Sequence, residues 1–366
     1  MNVAISGASG FIGSRFIELY AHKYKNILAL LHNDHSYKPL YGCSFVVAPL
    51  VDYKLLLLNT ANIDVFVNCS FDHKYKDNVA GIKNILKICK INNIKQLIHI
   101  STVSVYDIYN HKHINENVLY SKYNDPYTKE KIRLEKEIDR YISKCDFDIT
   151  ILQPSIVYGI GGNWSKYALS ACKHSRICLP FKGNKKCNAV YVDDVAQAIY
   201  LSTQFPLKNE KILISGNEDI SWGDFYLSHH NILSDLSLPS SCSIVKCVND
   251  NDFSVNPVIN SIFKLWYFTP LGIFFNLFTD SLKRIRNRSY VQIITPLDFF
   301  KFLMSPIINT DMELIGVTKK IHSIENNVDI SKAAKLLNYY PNYTINISAG
   351  IMKIKIAEIL ISQSLS

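Results

Sequence analysis

The stretch "AISGASGFIGSRF", residues 4–16, decides the fold of this chain. An apolar, strand-like run leads into glycines at positions 7, 10 and 13, and a helical pattern follows directly. Gly7 permits a tight turn, Gly10 lets the backbone come close to a ligand, and Gly13 lets the helix pack against the strand. The start of such a helix offers free N–H groups to an anion. The stretch therefore predicts a phosphate-binding turn between a strand and a helix.

Short apolar strands alternate with helices through the first half of the chain. We expect strands at residues 3–6, 27–31, 45–47, 64–68, 97–101 and 149–152, and helices at 11–21, 79–90 and 127–144. Nearly continuous apolar strands separated by helices are typical of a parallel sheet covered on both faces. The predicted fold class is α/β, with a doubly wound parallel sheet of the Rossmann, dinucleotide-binding type.

The regular alternation ends near residue 159. We expect residues 1–160 to form the NAD(P)-binding domain, with its sheet and flank completed by residues 188–216. Residues 161–366 are predicted to form mainly a smaller, interleaved C-terminal lobe that binds the substrate. A glycine turn alone is a weak signal, but here it opens a strand–helix–strand series, which favours a dinucleotide ligand.

Composition narrows the class of protein. Forty basic and 31 acidic residues give a net charge of +9, spread along the chain without a nucleic-acid-binding motif. We therefore expect no nucleic-acid partner. An anionic substrate, a membrane surface or a general lysine bias would each explain why the net charge is positive. The nine cysteines lack metal or redox spacing, which predicts reduced thiols and no metal site. The first residues lack a signal-peptide pattern, so the expected location is the cytoplasm.

Residues 262–288 are the one candidate for membrane contact. An apolar, aromatic run at 262–278 precedes a basic cluster of Lys283, Arg284, Arg286 and Arg288. The apolar run is too short for a span of about 20 residues. It could lie in a membrane interface, making the protein peripheral there, or form buried helices with an exposed basic end. Both alternatives stay open.

The helix after the fifth strand opens with Tyr127 and Lys131. With 22 tyrosines and 40 Lys and Arg together, of which seven are Arg, chance gives about two YxxxK matches. Only this one occurs, and it lies beside the strand end that carries Thr102. Four residues along a helix is about 6 Å of rise, so both side chains share one face.

These three residues suggest acid–base chemistry. A tyrosine has a pKa of about 10, and a nearby ammonium group favours its phenolate form. Thr102 could donate a hydrogen bond to a substrate oxygen while Tyr127 removes or returns the proton. The alternative for Thr102 is a buried hydroxyl that only satisfies backbone groups. The sequence favours the catalytic interpretation because all three partners are present.

The motifs GASGFIG, DVFVNCS, DNVAGIKNIL, HISTVSVY, PYTKEK, ILQPSIVYG, VYVDDVAQAI and DISKAAKLLNYYP occur in this order. Together they resemble the extended short-chain dehydrogenase/reductase family of the NAD-dependent epimerase/dehydratase type. The resemblance implies NAD or NADP as cofactor, a Ser/Thr–Tyr–Lys triad (Thr102, Tyr127 and Lys131) and often a nucleotide-sugar substrate. The cofactor contacts it suggests, with the neighbouring strand ends, are Gly7, Gly10, Phe11, Ile12, Gly13, His32, Leu50, Cys69, Ser70, Asn78, Tyr127, Lys131 and Pro154.

Several positions depart from the family pattern. The sequence Ala48-Pro49-Leu50 replaces Gly-Asp-Leu, so adenine is expected to be held differently, and Gln153-Pro154 replaces Arg-Pro. Val103 and Ser104 stand where 4,6-dehydratases of the family carry Asp-Glu, which disfavours a dehydratase. The second strand ends in Leu31-His32, neither acidic nor arginine, so NAD and NADP are not distinguished.

The favoured function is an NAD(P)-dependent epimerase or oxidoreductase acting on a nucleotide-sugar. One alternative is a membrane-associated dehydrogenase of lipid alcohols, similar to hydroxysteroid enzymes, which would use residues 262–288. Another is a non-catalytic NAD(P)-binding regulatory protein, but such a protein should have lost Tyr127 or Lys131. The family habit also suggests a homodimer.

Overall fold

The computed structural model describes residues 1–33, 42–72, 75–123, 125–241, 243–246, 301–306, 308–314 and 316–364. Residues 262–288, the candidate membrane segment, lie outside this part of the chain. Across the described ranges, no helix is long and apolar enough to cross a membrane.

Strands and helices alternate along the described chain. The strands are β1 (Asn2–Ser6), β2 (Asn26–Leu31), β3 (Ser44–Val47), β4 (Val65–Asn68), β5 (Gln96–Ile100), β6 (His113–Ile114), β7 (Asp148–Pro154), β8 (Ile156–Tyr158), β9 (His174–Leu179), β10 (Ala189–Tyr191), β11 (Glu210–Ile214), β12 (Ser243–Lys246), β13 (Ile308–Glu313) and β14 (Asn327–Val328). The helices are α1 (Phe11–Tyr20), α2 (Tyr53–Asn59), α3 (Asn78–Ile91), α4 (Pro126–Ile142), α5 (Asn163–Ala171), α6 (Val192–Gln204), α7 (Trp222–Asp235), α8 (Gly316–His322), α9 (Ser331–Leu337) and α10 (Ile345–Ser364).

The central sheet has seven strands in the order β11-β7-β5-β4-β1-β2-β3. Every neighbouring pair is parallel. The order reverses at β1, between β4 and β2, and ligands of such sheets bind at the carboxyl ends of the strands beside this point. The predicted α/β fold class with a doubly wound parallel sheet is confirmed.

Each strand sends alternate side chains to opposite faces of the sheet. On β1, Val3 and Ile5 pack with Phe16 of α1 and Ile199 of α6. Ala4 instead joins the core formed on the other face by α2, α3 and α4. Burial on both faces explains why the inner strands, such as β1 and β4, are mostly apolar.

A second hydrophobic core lies apart from the two faces of the central sheet, and α5, α7 and α10 contribute to it. Its aromatic members include Trp222 and Phe225, whose ring centroids are 5.8 Å apart. Two small sheets, β10-β8 and β12-β9-β13, complete this part of the molecule. Further along the chain, α6 and β11 pack again with the central sheet.

Three details differ from the sequence prediction. Helix α2 was not predicted; it begins where the Asp52 side chain accepts a hydrogen bond from the Leu55 N–H at 3.0 Å. Strand β7 continues beyond residue 152, so Gln153 and Pro154 lie inside it, paired with β11. Strand β10, from the 188–216 segment, pairs with β8 in a separate small sheet.

Candidate functional site

The glycine turn after β1 leaves no room for side chains. Gly7 has φ +69°, and a Cβ there would lie 2.7 Å from the backbone of Cys69 and of Ser70. A Cβ on Gly13 would lie 2.3 Å from the Gly7 carbonyl oxygen. That same carbonyl accepts a hydrogen bond from the Gly10 N–H at 3.0 Å. Glycine is therefore required at positions 7 and 13 by the geometry of the turn itself.

The N-terminus of α1 fits a phosphate group. Its capping residue, Gly10, has no side chain to bond the first N–H groups, and the first turn carries no acidic residue. Phe11 and Ile12 are only partly buried, and the Phe11 ring meets the turn at Gly162, where a Cβ would lie 2.6 Å from it. A helix N-terminus without a side-chain cap, beside glycines that let a ligand come close to the backbone, suits the pyrophosphate of a dinucleotide.

The loop after β4 joins the glycine turn to the rest of the site. Asn68 Oδ1 accepts hydrogen bonds from Ser6 Oγ at 2.7 Å and from Ser70 Oγ at 3.0 Å. Burial raises the pKa of the Cys69 thiol to about 12, and the positive charge of Lys131 opposes this shift. Cys69 and Ser70 thus lie against Gly7, and Cys69 is also near Lys131.

Thr102 follows the end of β5. Its hydroxyl accepts a hydrogen bond from the Ser104 N–H and donates one to the Ser104 hydroxyl, both at 3.2 Å. The residue is 6% exposed. The Thr102 hydroxyl also lowers the pKa of Tyr127, so satisfying a backbone group does not exclude a role beside the predicted acid–base residue.

Tyr127 lies in the first turn of α4. The helix starts there because Pro126 occupies its first position and the Asp125 side chain accepts a hydrogen bond from the Thr128 N–H at 2.9 Å. Burial raises the pKa of Tyr127 to about 12, although the Thr102 hydrogen bond lowers it. In this geometry burial outweighs the expected effect of Lys131, whose Nζ lies 6.0 Å from the centre of the Tyr127 ring.

Lys131 is 5% exposed. Its ammonium group donates a hydrogen bond to the Ile100 carbonyl oxygen at 2.9 Å. Burial lowers its pKa to about 8, against the attraction of Glu135. An ammonium has three donors, so Lys131 retains capacity for a ligand beside its bond to β5.

Phe71 is a site residue that the sequence interpretation missed. Its ring packs edge-on against Tyr127, with centroids 5.3 Å apart, and the Lys131 ammonium lies 4.4 Å from its centre. The available signal was its place directly after Cys69 and Ser70 in the loop that follows β4. A single aromatic residue in a loop does not reveal such a contact.

The other predicted cofactor residues lie around the same edge of the sheet. His32 is exposed at the end of β2, and Leu50 follows β3, where it packs on Gly81. Asn78 both accepts from and donates to the backbone of Asp72, at 2.7 and 2.8 Å, so its amide closes that loop. Pro154 is buried at the end of β7.

The order of the sheet divides these residues. His32 and Leu50 lie on the β2–β3 side of β1, whereas Thr102 and Pro154 lie on the β5–β7 side. A dinucleotide that spans the glycine turn would reach both groups. Within the described ranges, no group of three or more His, Cys, Asp or Glu side chains could hold a metal ion.

Comparison with known proteins supports this assignment of the fold. N-acetyl-alpha-D-glucosaminyl-diphospho-ditrans,octacis-undecaprenol 4-epimerase of Escherichia coli O157:H7 is 26% identical over 220 residues, 57% of this chain and 63% of that protein. The 2-alkyl-3-oxoalkanoate reductase of Stenotrophomonas maltophilia (strain K279a) is 23% identical over 215 residues, 55% of this chain and 65% of the relative. The chain thus spans just under two thirds of these two relatives.

Solved structures agree at the level of the fold. The UDP-glucose 4-epimerase of Thermotoga maritima, solved with UDP-glucose, superposes with a TM-score of 0.66 at 12% identity, covering 100% of both chains. A model of the NAD dependent epimerase/dehydratase family matches residues 3–215, which include the glycine turn, Thr102, Tyr127 and Lys131. The description of that family agrees with the dinucleotide cofactor predicted from the sequence. The chain belongs to the NAD dependent epimerase/dehydratase family.

Proposed function

We propose that this protein is an NAD(P)-dependent epimerase or oxidoreductase of nucleotide-sugars, with Tyr127 as its acid–base residue. The observation that carries the proposal is the placement of buried Lys131: its Nζ lies 6.0 Å from the centre of the Tyr127 ring and donates to the Ile100 carbonyl oxygen, two residues before Thr102. This group follows β5, and the open N-terminus of α1 follows β1 in the same parallel sheet. A hydroxyl substrate and a dinucleotide can therefore meet at one edge.

Each of the three residues has a distinct role in the proposal. Tyr127 takes the proton of a sugar hydroxyl as the alcohol is oxidised and returns it when the ketone is reduced. Thr102 holds the reacting oxygen by a hydrogen bond. Lys131 supplies positive charge that favours the phenolate of Tyr127 and has N–H groups left for the cofactor ribose. When bound, the nicotinamide supplies the hydride chemistry.

The pKa of Tyr127 is raised to about 12 in this structure, so the site must lower it before the phenol can act as a base near neutral pH. Bringing it to about 7 corresponds to roughly 7 kcal/mol. A lysine at 6 Å gives about 3 kcal/mol at an effective dielectric constant of 20. The remainder is assigned to the positively charged nicotinamide ring and to the substrate hydrogen bonds, so the phenol is activated only in the assembled complex.

The proposal favours epimerisation or net oxidation and reduction over 4,6-dehydration. Val103 is 7% exposed and apolar, and the Ser104 backbone and side chain both bond Thr102, at 3.2 Å. Neither side chain offers the carboxylic acid and carboxylate that eliminate water from an oxidised sugar. Epimerisation needs only the triad and a ketone that turns over between its formation by oxidation of the alcohol and its reduction on the opposite face.

A lipid-linked sugar is the second candidate substrate. Two observations favour it: one relative is an epimerase of an undecaprenol-linked diphospho-sugar, and residues 262–288 combine an apolar, aromatic run with a basic cluster. Such a substrate carries the same diphosphate and sugar at the reacting end. The protein would then act as a peripheral enzyme at a membrane that holds its substrate.

One experiment distinguishes these reactions. Purified protein is incubated in D2O with NAD and either UDP-hexoses or their polyprenyl-diphosphate counterparts in micelles, and products are analysed by NMR. Epimerisation gives the C4 epimer without net NADH and without deuterium at C5. A 4-keto-6-deoxy sugar with deuterium incorporated would show a dehydratase, and no turnover of either substrate class would contradict the proposed function.

A further inference from the structure

Helix α4 places four ionisable residues on one face at intervals of four: Tyr127, Lys131, Glu135 and Asp139. The first two belong to the proposed site, whereas the last two lead away from it toward the surface. Glu135 is 0% exposed, and Asp139 is exposed. A fully buried carboxylate is costly unless it is well bonded, so its partners indicate what it does.

Four side chains hold the Glu135 carboxylate. Ser101, next to Thr102, donates a short hydrogen bond to Oε1. Gln153, from β7, donates to both oxygens at 2.9 and 3.1 Å, and the Tyr120 hydroxyl donates to Oε2 at 3.1 Å. The Lys211 ammonium, from β11, lies 3.5 Å from Oε2. These four groups bond both carboxylate oxygens and fix the position of the side chain.

The positive charge of Lys211 is shared between Glu135 and a second carboxylate. Its ammonium also lies 2.9 Å from the Asp139 carboxylate and donates to the Tyr120 oxygen. One cation therefore serves two carboxylates. Glu135 retains negative charge for a second cation, and the next ionisable residue on its helix face is Lys131.

We propose that Glu135 is a positioning residue for Lys131: its fixed carboxylate keeps Lys131 an ammonium group, held at the end of β5 and available to the cofactor. The expected effect on turnover rests on the proposed function. The effect of Glu135 on the charge of Lys131 does not. Gln153 takes part because its amide, in place of the family's arginine, holds Glu135 without adding a positive charge.

The groups around Lys131 support this assignment. Among the described residues, the titratable side chains near the Lys131 ammonium are Tyr127 and Glu135 on α4, His99 on β5 and Cys69 after β4. Burial lowers the pKa of His99 to about 3 and raises that of Cys69 to about 12, so both are uncharged near neutrality. Glu135 is the one carboxylate in this set.

Substitutions can separate charge from packing. Glu135→Gln removes the charge but keeps the shape; Ser101 and Tyr120 carry hydroxyls, which can accept as well as donate, so the amide can be accommodated. Glu135→Asp keeps the charge on a shorter side chain. Glu137→Gln is the matched control, because this glutamate on the same helix pairs with Lys83 at 3.7 Å and Arg140 at 2.5 Å on the surface.

The direct readout is the titration of Lys131 by NMR of lysine labelled with carbon-13 at Cε, with its signal assigned through Lys131→Met. Glu135→Gln should lower the titration midpoint by about one pH unit or more, because a full charge one helical turn away is lost. Glu135→Asp and Glu137→Gln should leave the midpoint within a few tenths of a unit.

An unchanged midpoint in folded Glu135→Gln would overturn the inference, as would an equal fall in Glu135→Asp. Should Glu135→Gln fail to fold, Glu135→Asp still decides, since a fall of a full unit there would show that packing matters and charge does not. The alkaline limb of kcat/KM should shift in the same direction as the midpoint. A shifted midpoint in a protein that turns over no nucleotide-sugar would contradict the proposed function and leave this inference standing.

Discussion

Lys131 on α4 donates a hydrogen bond to the carbonyl oxygen of Ile100, the last residue of β5, at 2.9 Å. This bond ties the helix that carries Tyr127 to the strand that leads into Thr102. The scaffold therefore sets the relative position of the three predicted catalytic residues. The ring of Phe71, in the loop after β4, packs 4.4 Å from the same ammonium. Preorganisation of this kind reduces the cost of aligning reacting groups.

Removing the ammonium should weaken both cofactor binding and turnover. Lys131→Met is expected to lower kcat by about 10²–10⁴-fold, as for loss of a group that supports acid–base catalysis, and to raise the Kd for NADH in a fluorescence titration. Lys129→Met, at an exposed position two residues earlier, is the control and should change neither quantity. Normal NADH affinity in Lys131→Met would show that this lysine does not contact the cofactor.

The glycine turn gives a prediction about stability. Gly7→Ala forces a Cβ to 2.7 Å from the Cys69 backbone at φ +69°, and should destabilise the fold by about 1–3 kcal/mol and weaken NADH binding. Gly350→Ala, in α10 with no atom within 4 Å of the new Cβ, should stabilise by about 0.5–1 kcal/mol. Urea denaturation measures both; equal effects from the two substitutions would contradict the close packing at Gly7.

Buried histidines predict a loss of stability in mild acid. Burial lowers the pKa of His99 to about 3 and those of His229 and His322 to about 4. The unfolded chain therefore binds more protons below about pH 6.5, so these groups destabilise the fold progressively as the pH falls toward 4. Asp194 acts in the opposite direction, because burial raises its pKa to about 7.

The three histidines outweigh Asp194, so the free energy of unfolding should fall by on the order of 3 kcal/mol between pH 7 and pH 5. Urea midpoints at the two pH values measure it. His229→Asn should reduce the difference by about half, because each histidine contributes about 2 kcal/mol and Asp194 offsets part of the total of the three. A midpoint at pH 5 equal to or above that at pH 7 would contradict the assigned burial of these rings.

The ion pair between Arg15 and Asp193 predicts a purely structural effect. Arg15 Nε and Nη2 bond the two carboxylate oxygens at 2.5 and 2.7 Å and join α1 to α6, with Asp193 2% exposed. Arg15→Lys loses the two-point geometry and should lower the unfolding free energy by about 1–3 kcal/mol, with KM unchanged. Glu18→Gln, at a side chain 56% exposed, is the control; an equal loss there would argue against a special role for the buried pair.

The sequence predicted the parts of this protein that follow from local pattern. The glycine turn, the apolar strands and the helix that opens with Tyr127 each depend on residues adjacent in the chain, and each is present. Helix α2 was missed because its run of four leucines has no amphipathic period, and its signal was only the capping Asp52.

The partners of the site were harder to predict because they come from distant segments. Phe71 reaches Lys131 across 60 positions, and Lys211 reaches Glu135 across 76. Nothing local marks Glu135 as buried, since it lies among Arg133, Lys136 and Glu137. The raised pKa of Tyr127 was likewise out of reach of the sequence, which shows the neighbouring lysine but not the burial.

The most direct test of the account is the turnover of Tyr127→Phe on a confirmed nucleotide-sugar, with the NADH Kd measured in parallel. The phenol oxygen is the atom proposed to move the proton, so kcat should fall by about 10²–10⁴-fold while NADH binding changes little. Tyr340→Phe, at a side chain 60% exposed, should keep full activity. If Tyr127→Phe turned over substrate at the wild-type rate, Tyr127 would not be the acid–base residue and the proposed mechanism would be wrong.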